Sequence, residues 1–436
     1  MCVAKAEPAF PSVLASLLRH LTRKPTIRLW RIIQFLCRSH PKMSSYSTNK
    51  KTRRNPFTLI PPDMDMNPFR LVWEDLGSVL SRGKLLFYIV IPHRPSRSGT
   101  LDELYPDYAN IRDLALHVVL LVFQAIVFLT FVVFFFTFWV FPAVLPAAVL
   151  LLAWVVTAAI LRMLNGPPSS QCLVGIPEND VSPVNDASEL WFFINGICTG
   201  RTWHQSNLTL LANIFRREIV GIHNPTYDQL IAWVPSKGLV LDLVECLIQR
   251  DLDYKTQDIR QGRAQLRAAL QAPQTKKVVL IAHSQGGIVA ASIIDWLYGE
   301  LTSEEMGKLE IYTFGNAARH FRNPAVGEAQ TEVVKYIEHY ANSEDFVANI
   351  GVLQFTSEAA RYSSSDLFAG HVFKRDGTGH LLNMHYLDAM FSDQERFMDT
   401  EVVVHGHDLS DQTLLKPIKE LSRLIQYKDG KSPCVV

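Results

Sequence analysis

The stretch VVLIAHSQGG, residues 278–287, is an apolar run that stops abruptly at His283, Ser284, Gln285 and two glycines. A serine at a sharp strand-to-helix turn holds Oγ above the sheet, and the amide of the next residue, Gln285, points toward a bound acyl oxygen. Small neighbours at two positions before and after, Ala282 and Gly286, suit the close backbone approach of such a turn. A helix N-cap is the plainer role for Ser284, and both roles fit the same turn. A serine hydroxyl is a weak nucleophile near neutral pH and needs a histidine base that is itself oriented by a carboxylate. Candidates follow in the order serine, acid, histidine. Asp345 lies in ANSEDFVANIG, just past the run VKYIEHY, with Glu344 as its competitor. His380 lies in the glycine turn after HVFKR, and His385 follows on the next helical stretch. We favour His380, because a loop can carry an imidazole over the serine, and read His283 as a pocket residue. A second oxyanion donor is expected from the turn in LWFFINGICTG, where the Ile197 amide follows Asn195 and Gly196, although Asn-Gly is also a common turn dipeptide. His223, Asn224 and Pro225, in IVGIHNPTYDQL, belong either to the rim of the site or to a plain loop.

Positioning these groups requires a regular scaffold, and the pattern from Glu189 supplies one. Short β-branched or aromatic runs (LWFFI, EIVGI, VVLIA, EIYTF, VKYIEHY, HVFKR) alternate with helical stretches near 207–216, 238–250, 258–272 and 286–298. That alternation predicts an α/β domain over 189–392, a mainly parallel sheet with helices on both faces. Residues 164–188, rich in Pro, Ser, Asn and Asp, read as an extended linker. In the tail, 393–436, DQTLLKPIKELSRLIQY predicts an amphipathic helix despite Pro417, and Cys434 misses the prenylation spacing.

These segments together resemble the α/β-hydrolase superfamily, particularly lipase-like serine esterases, over roughly 189–392. AHSQGG is similar to the nucleophile elbow of that family, with Ala282 where glycine is commoner. YTFGNAARHF followed by HYANSEDFVANIG resembles its acid segment, FINGICTG its oxyanion strand and turn, and GTGHLLNMHYL its histidine loop. The resemblance implies Ser284 as nucleophile, His380 as base, Asp345 as acid, the Gln285 and Ile197 amides as oxyanion donors, and hydrolysis of a carboxylic ester through an acyl-enzyme. Thioesterase or amidase activity, such as protein deacylation, and a catalytically inactive membrane scaffold are the alternatives.

The N-terminal half has no counterpart in that resemblance. Between Asp113 and Arg162 there is no Asp, Glu, Lys or Arg. One helix of that length would run roughly 70 Å, more than a bilayer spans. Pro142 and Pro146 break it near the middle, so we expect a two-span hairpin over 113–163, with helices near 115–140 and 144–162. Arg94, Arg97, Arg112 and Arg162 flank it while its tip has none, which places both flanks in the cytosol, on endoplasmic reticulum or a lipid droplet. The implied partners are the lipid bilayer and an acyl-ester, and the membrane is what points to acyl-lipids.

Residues 1–62 form a basic arm, with a juxtamembrane segment at 63–112. Up to residue 54 the arm holds Lys5, Arg19, Arg23, Lys24, Arg28, Arg31, Arg38, Lys42, Lys50, Lys51, Arg53 and Arg54 against Glu7 alone. Such an arm suits a mitochondrial presequence, a contact with anionic lipid, or disorder. Over the whole chain charge is balanced, with Lys+Arg 43 against Asp+Glu 42, which argues against nucleic acid. Cys2, Cys37, Cys172, Cys198, Cys246 and Cys434 show no ligand spacing, so no disulfide framework, metal or other cofactor is expected. The sequon at Asn207 would stay unused on a cytosolic domain.

Overall fold

The structure is a computed structural model that describes residues 68–93, 99–137, 140, 142–166, 172–178, 183–184, 186–224, 239–327, 331–356, 368–392, 397–404 and 414–433. The basic arm of residues 1–62, Arg94, Arg97, Pro225 and Cys434 lie outside the described residues.

Among the described residues, one seven-stranded sheet organises the chain. Its strands are β1 (Cys172–Gly175), β2 (Glu189–Ile194), β3 (Ile219–Ile222), β4 (Lys277–His283), β5 (Leu309–Phe314), β6 (Tyr336–Asn342) and β7 (His371–Arg375). They lie in the order β1-β3-β2-β4-β5-β6-β7. Every pairing is parallel except the edge pair β1 and β3. Val278 through Ala282 have 0% exposure, so β4 is covered on both faces and its hydrophobic run needs no alternation.

Strand parity separates the two faces. Trp191, Phe193, Val279, Ile281, Tyr312, Phe314, Tyr340 and Phe373 share one cluster with Leu208, Leu211 and Phe215 of α4 (Arg201–Phe215) and with the C-terminal segments. Against the other face pack α6 (Gln257–Gln271) and α7 (Gly286–Tyr298), while α5 (Leu239–Asp251) packs on α7. Each fully buried Leu, Ile or Phe in these layers contributes about 1.5–3 kcal/mol.

Three sequence expectations need correction. The stretch predicted as an extended linker contains β1, four residues whose backbone pairs with β3 from Cys172–Ile222 to Gly175–Ile219. Helix α4 begins at Arg201, well before 207, because Gly200 in an extended conformation starts it and no side-chain cap marks the start. The tail is not one amphipathic helix: Leu414–Pro417 pairs with Glu401–Val404, a single helical turn Ile418–Leu421 follows, and the 3-10 turns of Leu424–Gly430 are interrupted by a kink at Lys428 and Asp429. Buried carboxylates on the sheet capture this tail. Glu338 accepts from the Arg423 and Leu424 amides at 2.6 and 3.3 Å, and Glu310 accepts from Tyr427 Oη at 2.7 Å.

Ahead of the sheet, α1 (Pro68–Ser81) docks on α5 and is followed by a 3-10 segment, Gly83–Val90. Two apolar helices come next, α2 (Tyr108–Thr137, 30 residues) and α3 (Val144–Asn165, 22 residues). Both are long and apolar enough to cross a membrane, and most of their side chains are exposed. At their base, Trp203 Nε1 donates to Asn110 Oδ1 at 2.9 Å, which ties α2 to the first turn of α4. Asn207 is buried within α4, out of reach of a modifying enzyme.

Candidate active site

Ser284 directly follows β4, Asp345 lies beyond β6 and His380 beyond β7, while Ile197 lies beyond β2. All four therefore belong to loops at the carboxyl ends of parallel strands, where α/β sheets gather their ligands. Ser284 has φ of 58°, a left-handed backbone that costs a non-glycine residue about 1–2 kcal/mol. Its amide donates to Phe314 O at 3.0 Å, and its carbonyl accepts from the Gly287 and Ala317 amides at 3.0 and 3.2 Å. The strain is held by β5 on one side and α7 on the other. Glycine at 286 is required by close approach, since a Cβ there would meet Ile194 O at 2.4 Å.

Asp345 and His380 form a buried pair. His380 Nδ1 donates to Asp345 Oδ2 at 2.8 Å, and Tyr386 Oη donates to the same oxygen at 2.6 Å. The other oxygen accepts from the Val347 and Ala348 amides at 2.8 and 3.3 Å, so Asp345 also caps the short helix Phe346–Ile350. Burial by itself would raise this carboxyl. The His380 charge, with hydrogen bonds from His380, Tyr386 and Ala348, outweighs burial and holds it below the ordinary carboxylate range. Glu344 is exposed, with its amide donating to Gly377 O at 2.9 Å, so the neighbouring carboxylate does not enter the site.

His385 is occupied elsewhere. Its Nδ1 accepts from the Leu381 amide at 3.0 Å and its Nε2 donates to Pro92 O at 2.9 Å, while burial lowers it to about 4. His283 is also neutral, lowered by burial to about 3, and its Nε2 donates to His380 O at 2.8 Å. The two rings stack with centroids 4.7 Å apart, which sets His380 directly over the residue preceding Ser284. With Nδ1 donating to Asp345, the His380 Nε2 is the nitrogen left to accept a proton. Among the described residues no hydrogen bond closes between Ser284 Oγ and His380, a gap of the kind that substrate binding closes in many hydrolytic sites.

The turn after β2 lies against the serine. A Cβ on Gly196 would be 2.6 Å from Ser284 Cβ and 3.0 Å from its Oγ. Side-chain amides not foreseen from the sequence hold this turn. Asn195 Nδ2 donates to Asn224 O at 2.9 Å, the Asn224 amide returns to Asn195 Oδ1 at 2.8 Å, and Asn224 Nδ2 reaches Gln285 Oε1 at 2.7 Å. Gln285 Nε2 continues to Gln249 Oε1 at 2.8 Å. This buried chain fixes the loops after β2, β3 and β4 in one arrangement. It leaves the Gln285 and Ile197 backbone amides without a protein acceptor among the described residues. His223 stacks on the buried His204 at 4.9 Å, so it belongs to packing beside the site, whereas Asn224 belongs to the amide chain.

A surface basin lined by Lys276, Ser303, Lys308, Glu332 and Lys335 lies at the opposite, amino ends of β4, β5 and β6 and has no part in this arrangement.

No family model and no curated protein matches the chain. Among the solved structures that overlay part of it are these two. One, described as a member of the α/β serine hydrolases without a lid, is from Xanthomonas campestris; it is 14% identical with a TM-score of 0.28, covering 50% of this chain and 83% of its own. The other, Est1E from Butyrivibrio proteoclasticus, is 11% identical with a TM-score of 0.25, covering 49% of this chain and 87% of its own. Overlays this loose say nothing about chemistry, and the site stands on its own hydrogen bonds.

Proposed function

We propose that the chain is a membrane-anchored serine hydrolase of the α/β-hydrolase kind that cleaves carboxylic esters of apolar, lipid-like substrates. The observation that carries this reading is the buried Asp345–His380 pair beside a serine held in a left-handed turn at the end of a central strand.

Ser284 Oγ attacks the acyl carbonyl while His380 Nε2 takes its proton, and Asp345 stabilises the resulting imidazolium. The carbonyl oxygen becomes an oxyanion that accepts from the Gln285 and Ile197 amides, each such donor being worth about 3–4 kcal/mol in the transition state. Collapse breaks the ester C–O bond, His380 gives its proton to the departing alkoxide, and the acyl group stays on Ser284. Water, deprotonated by His380, then releases the acid and restores the serine. Placing α2 and α3 in a bilayer as a hairpin keeps this site beside an apolar substrate pool, which favours acyl-lipids over water-soluble esters. The flanking arginines orient the body toward the cytosol.

A fluorophosphonate probe tests the reading. Wild-type protein is expected to label on Ser284 and Ser284→Ala to stay unlabelled. An unlabelled wild type overturns it in favour of an inactive scaffold, and equal labelling of the variant overturns Ser284 as the nucleophile. Turnover of lipid esters against matched thioesters then fixes the acyl class.

A further inference from the structure

Helix α1 is amphipathic in the inverted sense. Its buried side chains are polar: Asp75 accepts from Arg250 Nη2 at 2.8 Å, and Ser78 Oγ donates to Gln354 Oε1 at 2.5 Å. Its large apolar side chains face outward, with Trp73 70% and Leu80 72% exposed and Leu76 beside them. At about 100° per residue, Trp73, Leu76 and Leu80 fall on one stripe, opposite Asp75 and Ser78. The following segment continues the pattern, because Leu86, Phe87, Val90 and Ile91 are exposed too, Phe87 at 75%. Scattered exposed apolar residues need no explanation. A stripe of them along a helix pinned in place by its polar side, continued in the next segment, marks a surface that meets something apolar.

The same run is fastened to the histidine loop from behind. The His380 amide donates to Ile89 O at 2.9 Å, Thr378 Oγ1 to Ile91 O at 2.7 Å, and His385 Nε2 to Pro92 O at 2.9 Å. Glu103 then accepts the Asn383 and Met384 amides at 2.8 and 3.2 Å, just before α2 begins at Tyr108. The apolar strip is thus continuous in chain with the helices read as spans.

We propose that the outward face of α1 and the strip 86–91 is seated in the interfacial layer of the bilayer that holds α2 and α3, so that the loop carrying His380 lies at the membrane surface. The inference rests on the membrane reading of those two helices. Trp73 would lie at headgroup depth, where its amphipathic ring is favoured, with Leu76, Leu80 and Phe87 reaching the acyl boundary. The bilayer is the occupant that fits, since the adjoining hairpin holds the face within reach of lipid at all times.

The test uses the full chain in phosphatidylcholine vesicles, with Trp73→Phe as the reference that isolates Trp73 emission by difference. Lipids brominated near the headgroup are expected to quench that emission more strongly than lipids brominated near the bilayer midplane, with iodide quenching reduced severalfold relative to a lipid-free control. If iodide quenches Trp73 freely while the protein resists carbonate extraction, this docking is overturned and the anchor stands. Release by carbonate overturns the anchor and the docking together. Fluorophosphonate labelling reads the hydrolase function separately from either result.

Discussion

Replacing Asp345 with asparagine separates the roles that one carboxylate fills. Four donors converge on it: His380 Nδ1 and Tyr386 Oη on one oxygen, the Val347 and Ala348 amides on the other. An amide offers one oxygen, so two donors lose their acceptor. The backbone amides cannot turn away, and keeping them as a helix cap retains about 0.5–2 kcal/mol. The amide NH2 then faces His380, whose Nδ1 must accept, and the ring proton moves to Nε2. In that tautomer His380 cannot take the Ser284 proton. We expect kcat/KM for a short soluble ester to fall by about 10³–10⁴, or roughly 4–5.5 kcal/mol at 1.36 kcal/mol per decade. Stability falls by about 1–3 kcal/mol, because the Tyr386 hydroxyl is buried without its acceptor. The wild-type carboxyl is held below its ordinary range, so its stabilisation is present above the unfolded carboxylate pKa and lost as pH falls through the folded value. Urea midpoints of wild type and variant should therefore converge toward strong acid. A variant within tenfold of wild-type kcat/KM refutes the orienting role. Lost stability with unchanged kinetics would reduce Asp345 to a helix cap.

Four further substitutions probe the same geometry. His385→Ala should lower stability by about 1–3 kcal/mol through its lost Leu381 and Pro92 partners yet keep probe labelling, while His380→Ala loses labelling by about 10³; the reverse pattern makes His385 the base. Gly196→Ala places a methyl 2.6 Å from Ser284 Cβ, about 1 Å inside van der Waals contact, and should cost about 10²-fold in kcat/KM with intact secondary structure by circular dichroism; wild-type rates would remove this turn from the site. Glu103, raised by burial from 4.5 to about 7, favours its protonated form in the folded protein, so the stability it gives is full below its unfolded pKa and declines as pH rises through 7. At about 1.4 kcal/mol per unit that decline approaches roughly 3 kcal/mol, and Glu103→Gln should flatten it; parallel unfolding curves for the two proteins count against this assignment.

The strands β2 to β7 were legible because each is a continuous β-branched or aromatic run bounded by turn residues. Strand β1 was not, since CLVG is short and sits among prolines and serines, and edge pairing with β3 decides its state. Of the site residues, Asp345 and His380 could be read from their places after strands, and the structure brings them together. Tyr386 could not, because nothing local shows that a tyrosine on the following turn reaches back to Asp345. The amide chain of Asn195, Asn224, Gln285 and Gln249 was hidden for the same reason, being spread over four separate segments. Least visible was the fastening of the histidine loop by residues 89–92 and 101–103. It acts largely through the carbonyls of Ile89, Ile91, Pro92 and Leu101, which every residue type offers alike.

The captured tail imposes an order of events during synthesis. Arg217, buried beside Glu189, completes its hydrogen bonds with Lys431 O at 2.9 Å and Ser432 Oγ at 2.8 Å, and Tyr427 packs on Trp191 with centroids 5.0 Å apart. Strand β2 therefore lacks this cover until residues 427–432 leave the ribosome. The helices at 108–165 emerge roughly 270 residues earlier, a lead of about 13–50 s at 5–20 residues per second. A hairpin inserted in that interval would tether the nascent sheet to the bilayer while its Trp191 face is still bare. Slowing translation before residue 427 should prolong the interval in which chaperones bind this chain.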